Sequence, residues 1–439
     1  MATTFDILSF GAKGDGVSDD SQAFLSAWNS ACKVYGATIN IPSGFRFLIK
    51  PLTLQGPCMP HLTLQIDGTL LAPARGGSWQ KSSLWQWINF KWIHNFTIQG
   101  TGIVDGHGYD WWTTSDFDLI NLQVINFVIK INYLEIIYYR VKLKKNLKLL
   151  TFLIFLNRRR NSRTVLQALR FYGGTNVTVR DIKIINSPQC HLKFDDSKGV
   201  KVDNITISSP ETSLNTDGIH LQNTQDVIIK NSNVGCGDDC VSIQTGCTNV
   251  VIHHINCGPG HGISLGGLGK DRSVACVSNI IIDNIVMDNT MYGARIKTWQ
   301  GGLGSVKNVT FSNIQMNEVR VPIMIDQYYC DKGICKNQSQ AVAISGVKFD
   351  EIKGTYSSQP IHIACSSSIP CTNVDLISIQ LQPSSSAGLI QGGFEEGLCL
   401  NSYGRTEGPL FPTSMDYCLR KANGILQRIA KSHEKGCWF

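Results

Sequence analysis

A nine-residue pattern recurs through this chain from Asn176 onward. "NVTVRDIKI" opens at Asn176, and related versions open at Gly199, Asp226, Asn249, Asn279, Asn308, Gly346 and Asn373, at intervals of 23 to 38 residues. Each copy is a short run of β-branched residues with alternating apolar positions, begun by Asn, Asp or Gly and followed by a second short strand. A β-sandwich also contains many short strands, but it does not repeat one motif at such a period. Self-similarity at this interval, with no helical half in the repeat, describes stacked coils: an all-β chain, a parallel β-helix solenoid.

Each coil is expected to bury Ile and Val and to expose polar turns. Asn at one turn position of successive coils would then form a hydrogen-bonded ladder along the axis. A solenoid needs its open end covered, and "SDDSQAFLSAWNSAC" supplies an Asp/Ser-capped helix with Ala23, Phe24, Ala27, Trp28 and Ala31 on one face. The whole chain, residues 1–439, is expected to form one domain of this kind.

One stretch breaks the pattern, an atypical insert at about 116–163. From Phe117 to Leu156 there is no Gly, Pro, Ser, Cys or Ala. Extended to Arg163, it holds ten Lys/Arg against Asp118 and Glu135, a net of +8, whereas the whole chain is +7. The basic character therefore belongs to one segment and is no sign of a nucleic-acid or membrane partner. A basic binding insert and an amphipathic interaction helix are two readings of it. Its Ile, Leu, Asn, Lys, Tyr and Phe are residues of AT-rich codons, which reads as translated intron. It is expected to project as an excursion, with the coils passing beneath undisturbed.

Fifteen cysteines are many for a reducing compartment. Cys330 with Cys335, and Cys365 with Cys371, close short rings suited to disulfides. Asn95, Asn176, Asn204, Asn308 and Asn337 open glycosylation sequons, although strand starts alone would place four of them. These features suit a secreted protein, while "MATTFDILSFGAKGDG" lacks the basic and apolar regions of a signal peptide. No run of 18 apolar residues marks a membrane helix.

"CGDDC", at 236–240, raises three possibilities: a turn, a metal site and a carboxylate pair. Coil spacing decides among them. Asp217 precedes Asp238 and Asp239 by 21 and 22 residues, and His261 follows Asp239 by 22. Steps of one coil put these groups on neighbouring rungs, about 4.8 Å apart. Arg295 and Lys297 follow on one side of a later strand, and Tyr329 comes after them. Three carboxylates facing one another do not all ionise, so one is held protonated as an acid while the others activate water. Arg295 and Lys297 ask for an anionic substrate. Zinc is disfavoured, since Cys240 and Cys257 suit a disulfide between adjacent rungs. His253 and His254 are expected to alternate in and out of a strand.

The motifs "NTDG", "GDD", "GHG" and "RIK", in this order and at these spacings, resemble the polygalacturonases, glycoside hydrolases with a right-handed parallel β-helix. "FGAKGDGVSDDSQAF", "GTGIVDGHGYDWW" and "CGPGHGISLGGLG" resemble the plant members, and the likeness covers about residues 5–115 and 164–420. It implies inverting hydrolysis of α-1,4-linked galacturonan, with acid and base about 6.5–9.5 Å apart. Asp238 is then the general acid, Asp217 and Asp239 activate water, and His261 supports the acid. Asn215, Arg295, Lys297 and Tyr329 bind substrate, with Tyr328 the competing tyrosine. The resemblance implies no metal or cofactor, and a secreted, monomeric cell-wall enzyme acting on pectin. The chain departs from the family at 116–163, where a short Cys-containing connection is usual, and in lacking a secretion signal. Rival readings are a rhamnogalacturonan or xylogalacturonan hydrolase, a lyase, and a non-catalytic carbohydrate-binding pseudoenzyme.

Overall fold

The computed structural model describes residues 3–74, 79, 86–113, 167–331, 335, 337–338, 340–384, 397–421 and 437. Among these described residues the strands form two sheets, of nineteen and eleven strands, and every strand pairing within them is parallel. In the eleven-stranded sheet, spatial order follows chain order from Leu52–Gln55 to Leu398–Leu400. Successive strands of that sheet thus belong to successive coils, and the chain is a parallel β-helix.

The repeated motif has a backbone cause. All eight opening residues take left-handed conformations, with φ from 52° at Asn373 to 70° at Gly199. Five residues after each opener, Asp181, Asn204, Asn231, His254, Asn284, Asn313, Glu351 and Ser378 do the same. Each motif is therefore a strand between two corners. Gly meets this demand without a Cβ penalty, and Asn and Asp meet it at least cost among the rest. Stacking places like corners over one another, and the expected ladder forms: Asn249 Nδ2 donates to Asp226, Asn279 to Asn249 and Asn308 to Asn279, at 2.9, 3.1 and 3.1 Å. Between corners, Val177, Val200, Val227, Val250, Ile280, Val309, Val347 and Val374 stand in register and face the core.

Inside the coils, rings stack as the strands do. Phe171 lies 4.8 Å from Phe90 and 5.0 Å from Phe194, nearly parallel to both. The helix Ser21–Ala31 covers the amino-terminal end of this stack, burying Ala23, Phe24, Ala27, Trp28 and Ala31. Trp28 meets Phe90 and Phe96 at 5.9 and 5.5 Å. The capping differs from expectation. The Asp20 carboxylate makes no hydrogen bond to the helix, and accepts instead from the Lys13 and Gly14 amides at 2.7 and 3.1 Å. Ser21 Oγ is likewise drawn to Asp19 and to the amide of Lys50. These side chains tie the preceding loop to the coil.

The atypical segment at 116–163 lies outside the described residues. On its two sides, Gln86–Lys91 and Gln167–Tyr172 are adjacent rungs, with Ile88 opposite Leu169 and Phe90 opposite Phe171. His253 and His254 do not alternate in and out. The corner at His254 swings both rings to the surface, with their Nδ1 atoms 2.7 Å apart.

The corners generate a stability prediction. Asn279→Ala removes two ladder hydrogen bonds and puts a Cβ-bearing residue without a polar side chain at φ 57°. It should cost about 2 kcal/mol in chemical denaturation. Asn279→Gly loses the same bonds without the backbone penalty, so it should unfold at a higher denaturant concentration than the alanine variant. Equal midpoints would show that the ladder, and not the backbone, selects Asn.

Candidate active site

Register in the eleven-stranded sheet assembles the site. Ile219, Val241, Ile263 and Ala294 are partners on four consecutive rungs. Counting back two residues from each gives Asp217, Asp239, His261 and Tyr292, one from each coil. The intervening position is held tight: a Cβ on Gly262 would meet the Tyr292 carbonyl oxygen at 2.2 Å, at a φ of 78°. This explains the glycine that ends "GHG". Counting forward one residue gives His220, Ser242, Ser264 and Arg295, a second file on the outer face.

Asp239 is the electrostatic centre. It is 2% exposed. Its Oδ1 accepts from Ser264 Oγ at 2.8 Å and from the Arg295 guanidinium, and its Oδ2 accepts from Lys297 Nζ at 3.0 Å. Burial alone would raise its pKa, but the two cations and these hydrogen bonds hold the carboxyl far below the usual range. Asp239 is thus fixed as an anion. Arg295, expected from sequence as a clamp for an external carboxylate, already has an internal one. It also donates through Nε to Ser264 at 2.8 Å and lies 4.1 Å over the Tyr292 ring.

Asp217 behaves oppositely. Burial raises its pKa, and the charges of Asp238 and Asp239 add to the rise, against a hydrogen bond from His220 Nδ1 at 2.9 Å. Beneath it, buried His191 bonds the Asp217 carbonyl through Nδ1 at 2.9 Å and Ser209 Oγ through Nε2 at 2.7 Å. A carbonyl only accepts, so Nδ1 carries the proton. Burial depresses this imidazole to about 4 and keeps it neutral. Asp238 is more open and is fixed by His261, whose Nδ1 lies 2.9 Å from its Oδ1 and whose amide donates to its carbonyl at 2.7 Å.

Oxygens of Asp238 and Asp239 and a ring nitrogen of His261 lie within 4.8 Å of one another. That is closer than the roughly 6.5–9.5 Å expected of an opposed acid and base, because the two aspartates are adjacent in the chain. The three groups have the spacing of cation ligands, yet Arg295 and Lys297 already neutralise Asp239.

The tyrosine doublet separates in space. Tyr329 has its ring 5.4 Å from Lys297 Nζ, whereas the Tyr328 hydroxyl donates to the Cys365 carbonyl at 3.3 Å. Asn215 sits on an exposed left-handed turn two residues before Asp217. Cys240 is bonded to Cys257, Cys330 to Cys335 and Cys365 to Cys371. Three further disulfides, Cys32–Cys58, Cys276–Cys437 and Cys399–Cys418, join positions with no short-ring signature in the sequence. Cys190, Cys236 and Cys247 remain as buried thiols. Sequence reading also missed His220, Ser264, His191 and Tyr292. The first two stand three residues after Asp217 and His261, an offset that the rung pattern would have exposed.

The sequence pattern of the glycosyl hydrolases family 28 matches residues 32–132 and 157–392. A polygalacturonase of Persea americana is 37% identical over 405 residues, 90% of this chain and 79% of that protein. One of Malus domestica is 37% identical over 384 residues, covering 87% and 75% of the two chains. Among solved structures, a polygalacturonase from Erwinia carotovora ssp. carotovora superposes with a TM-score of 0.66 at 21% identity, over 93% of this chain and 97% of its own. An endo-xylogalacturonan hydrolase from Aspergillus tubingensis gives 0.67 at 21% identity, over 93% and 99%. At such identities the structures speak to the fold alone.

The raised pKa of Asp217 has a thermodynamic consequence. A carboxyl whose pKa is higher folded than unfolded favours folding at low pH, and that contribution is lost as pH rises through the folded value. Asp217→Asn removes the loss and can still accept from His220. It should raise the melting temperature at pH 7, with the advantage fading as pH falls through the raised value of Asp217 and gone once pH is below the ordinary carboxylate range. A lower melting temperature at pH 7 would mean that His220 compensates the buried charge in full.

Proposed function

The chain belongs to the glycosyl hydrolases of family 28, the polygalacturonases that hydrolyse pectin, and on that premise we propose how its own residues divide the work. Asp238, the most open of the three carboxyls, donates its proton to the glycosidic oxygen as the C1–O bond breaks. His261 positions it from the next coil. Asp217 takes the proton of the attacking water, since burial gives it the greater proton affinity of the two remaining carboxylates. Asp239, pinned as an anion, orients that water and holds Arg295 and Lys297 in place. Two cations against one buried carboxylate leave a net positive charge close to Asp238. That excess, with Tyr329 beside Lys297 and Asn215 at the rim, is suited to galacturonate.

The observation that carries this assignment is the column itself: carboxylates on adjacent rungs, one held ionised by two cations and one pushed towards protonation. The product has inverted stereochemistry, with water entering from the ring face opposite the leaving group. No metal or cofactor enters any of these steps. The six disulfides suit an oxidising compartment, and we assign the protein to the cell wall, acting as a secreted monomer. No helix among the described residues is long and apolar enough to cross a membrane. Residues 1–439 then make one β-helix domain interrupted at about 116–163.

Two measurements test the assignment. Asp238→Asn should lower kcat on polygalacturonate by several orders of magnitude and leave KM within a few-fold. Proton NMR of the first-formed product should show the β-anomer before mutarotation. An α-anomer would mean that one aspartate attacks C1 directly, in keeping with the short Asp238–Asp239 separation.

A further inference from the structure

The outer file that ends at Arg295 extends the other way as well. Arg170 pairs with Lys193, Lys193 with His220, His220 with Ser242, Ser242 with Ser264, and Ser264 with Arg295. Arg170 therefore stands two rungs before the coil of Asp217, and Arg295 stands two rungs beyond that of Asp239. At about 4.8 Å per rung, the backbone of Arg170 lies roughly 10 Å along the axis from the coil of Asp217, while the Arg295 side chain reaches back across two rungs to Asp239.

The two ends are built alike. Asp195, 5% exposed, accepts from Arg170 Nε at 2.5 Å and faces Lys193 Nζ at 3.4 Å. As at Asp239, one buried carboxylate holds an Arg and a Lys, and one positive charge is left over. Arg170 and Lys193 are themselves mostly buried, so their geometry is fixed rather than solvated. Arg170 lies 5.3 Å over the Tyr172 ring, which meets Trp92 at 6.4 Å. Trp92 is 47% exposed and takes a left-handed backbone at φ 52°, an unfavourable combination for a bulky aromatic residue. An exposed indole held under strain beside a paired Arg and Lys is the chemistry that recognises an acidic sugar: an apolar face for the ring and cations for its carboxylate.

We propose that Arg170 and Lys193, with Trp92 and Tyr172, form a distal subsite for a galacturonate unit on the amino-terminal side of the catalytic carboxylates. It rests on the pectin-hydrolase assignment and adds where along the polymer the enzyme reads charge. The chain then contacts cations on both sides of the scissile bond. Asp195 is the positioning residue, corresponding to Asp239 at the other end.

The test compares galacturonate oligomers too short to reach the subsite with oligomers that span it. For the full-length protein, kcat/KM should be higher on an octamer than on a trimer. Arg170→Gln and Lys193→Met should each reduce the octamer-to-trimer ratio by about tenfold, the scale of one charge-assisted contact. An unchanged ratio in a variant of wild-type thermal stability overturns the subsite. Equal loss on both lengths also overturns it, since the cluster would then be supporting the catalytic column. Should Arg170→Gln fail to fold, Lys193→Met carries the same comparison, because Lys193 is the more distant from Asp195. Failure of the wild-type protein to cleave either oligomer would instead reject the pectin-hydrolase assignment.

Discussion

The left-handed corner is the constraint on which the rest of this structure depends. A β-strand has to turn sharply to stay within a coil, and here the turn is made by single residues near φ 50–70°. Only Gly adopts that region without cost, and Asn and Asp adopt it with the smallest side-chain penalty. The same carboxamides then find partners one coil away, so one residue type answers both the backbone demand and the hydrogen-bonding demand. Where the column holds Gly, it does so in contact with its neighbour: a Cβ on Gly199 would come within 2.5 Å of Asn176 Oδ1. Corners at fixed offsets put successive strands in register, and register is what brings distant carboxylates together.

On that frame, charge is placed sparingly. The outer face of the eleven-stranded sheet carries carboxylates whose fates differ with their neighbours. Asp239 and Asp195 are each held by an Arg and a Lys. Asp217 has a histidine and buried surroundings, and it leans towards the proton. Grouping Asp217, Asp238 and Asp239 on neighbouring rungs would be costly without this division, because each added anion raises the cost of the next. The arrangement stores basicity in one residue and fixed negative charge in another. The tight cation partners of Asp239 also show why Arg295 and Lys297 cannot be regarded as a bare clamp. Their orientation is set from inside the protein before any substrate arrives.

Much of this was written in the chain order. The β-helix follows from the recurrence of Asn or Gly before β-branched runs, and the amphipathic helix at 21–31 follows from the spacing of Phe24, Ala27, Trp28 and Ala31. The one-coil intervals among Asp217, Asp239 and His261 placed them on neighbouring rungs, since strand register in a solenoid is nearly a matter of counting. Short-range disulfides were legible for the same reason: ring closure over five or six residues is a local property.

Other features required the third dimension. The side chain of Asp20 abandons the helix for the Lys13–Gly14 loop, and two histidines thought to point apart meet at a corner. Cys276 and Cys437 join across 161 residues. Neither Ser264 nor His220 belongs to a motif that draws the eye, yet each bonds a catalytic candidate because its side chain emerges on the same face one rung or one step away. The sequence by itself determined which residues lie on which rung, through a periodicity that backbone sterics enforce. Only the tertiary structure decided how each charge is spent, because pairing among side chains depends on distances of a few ångströms between coils, which periodicity does not encode.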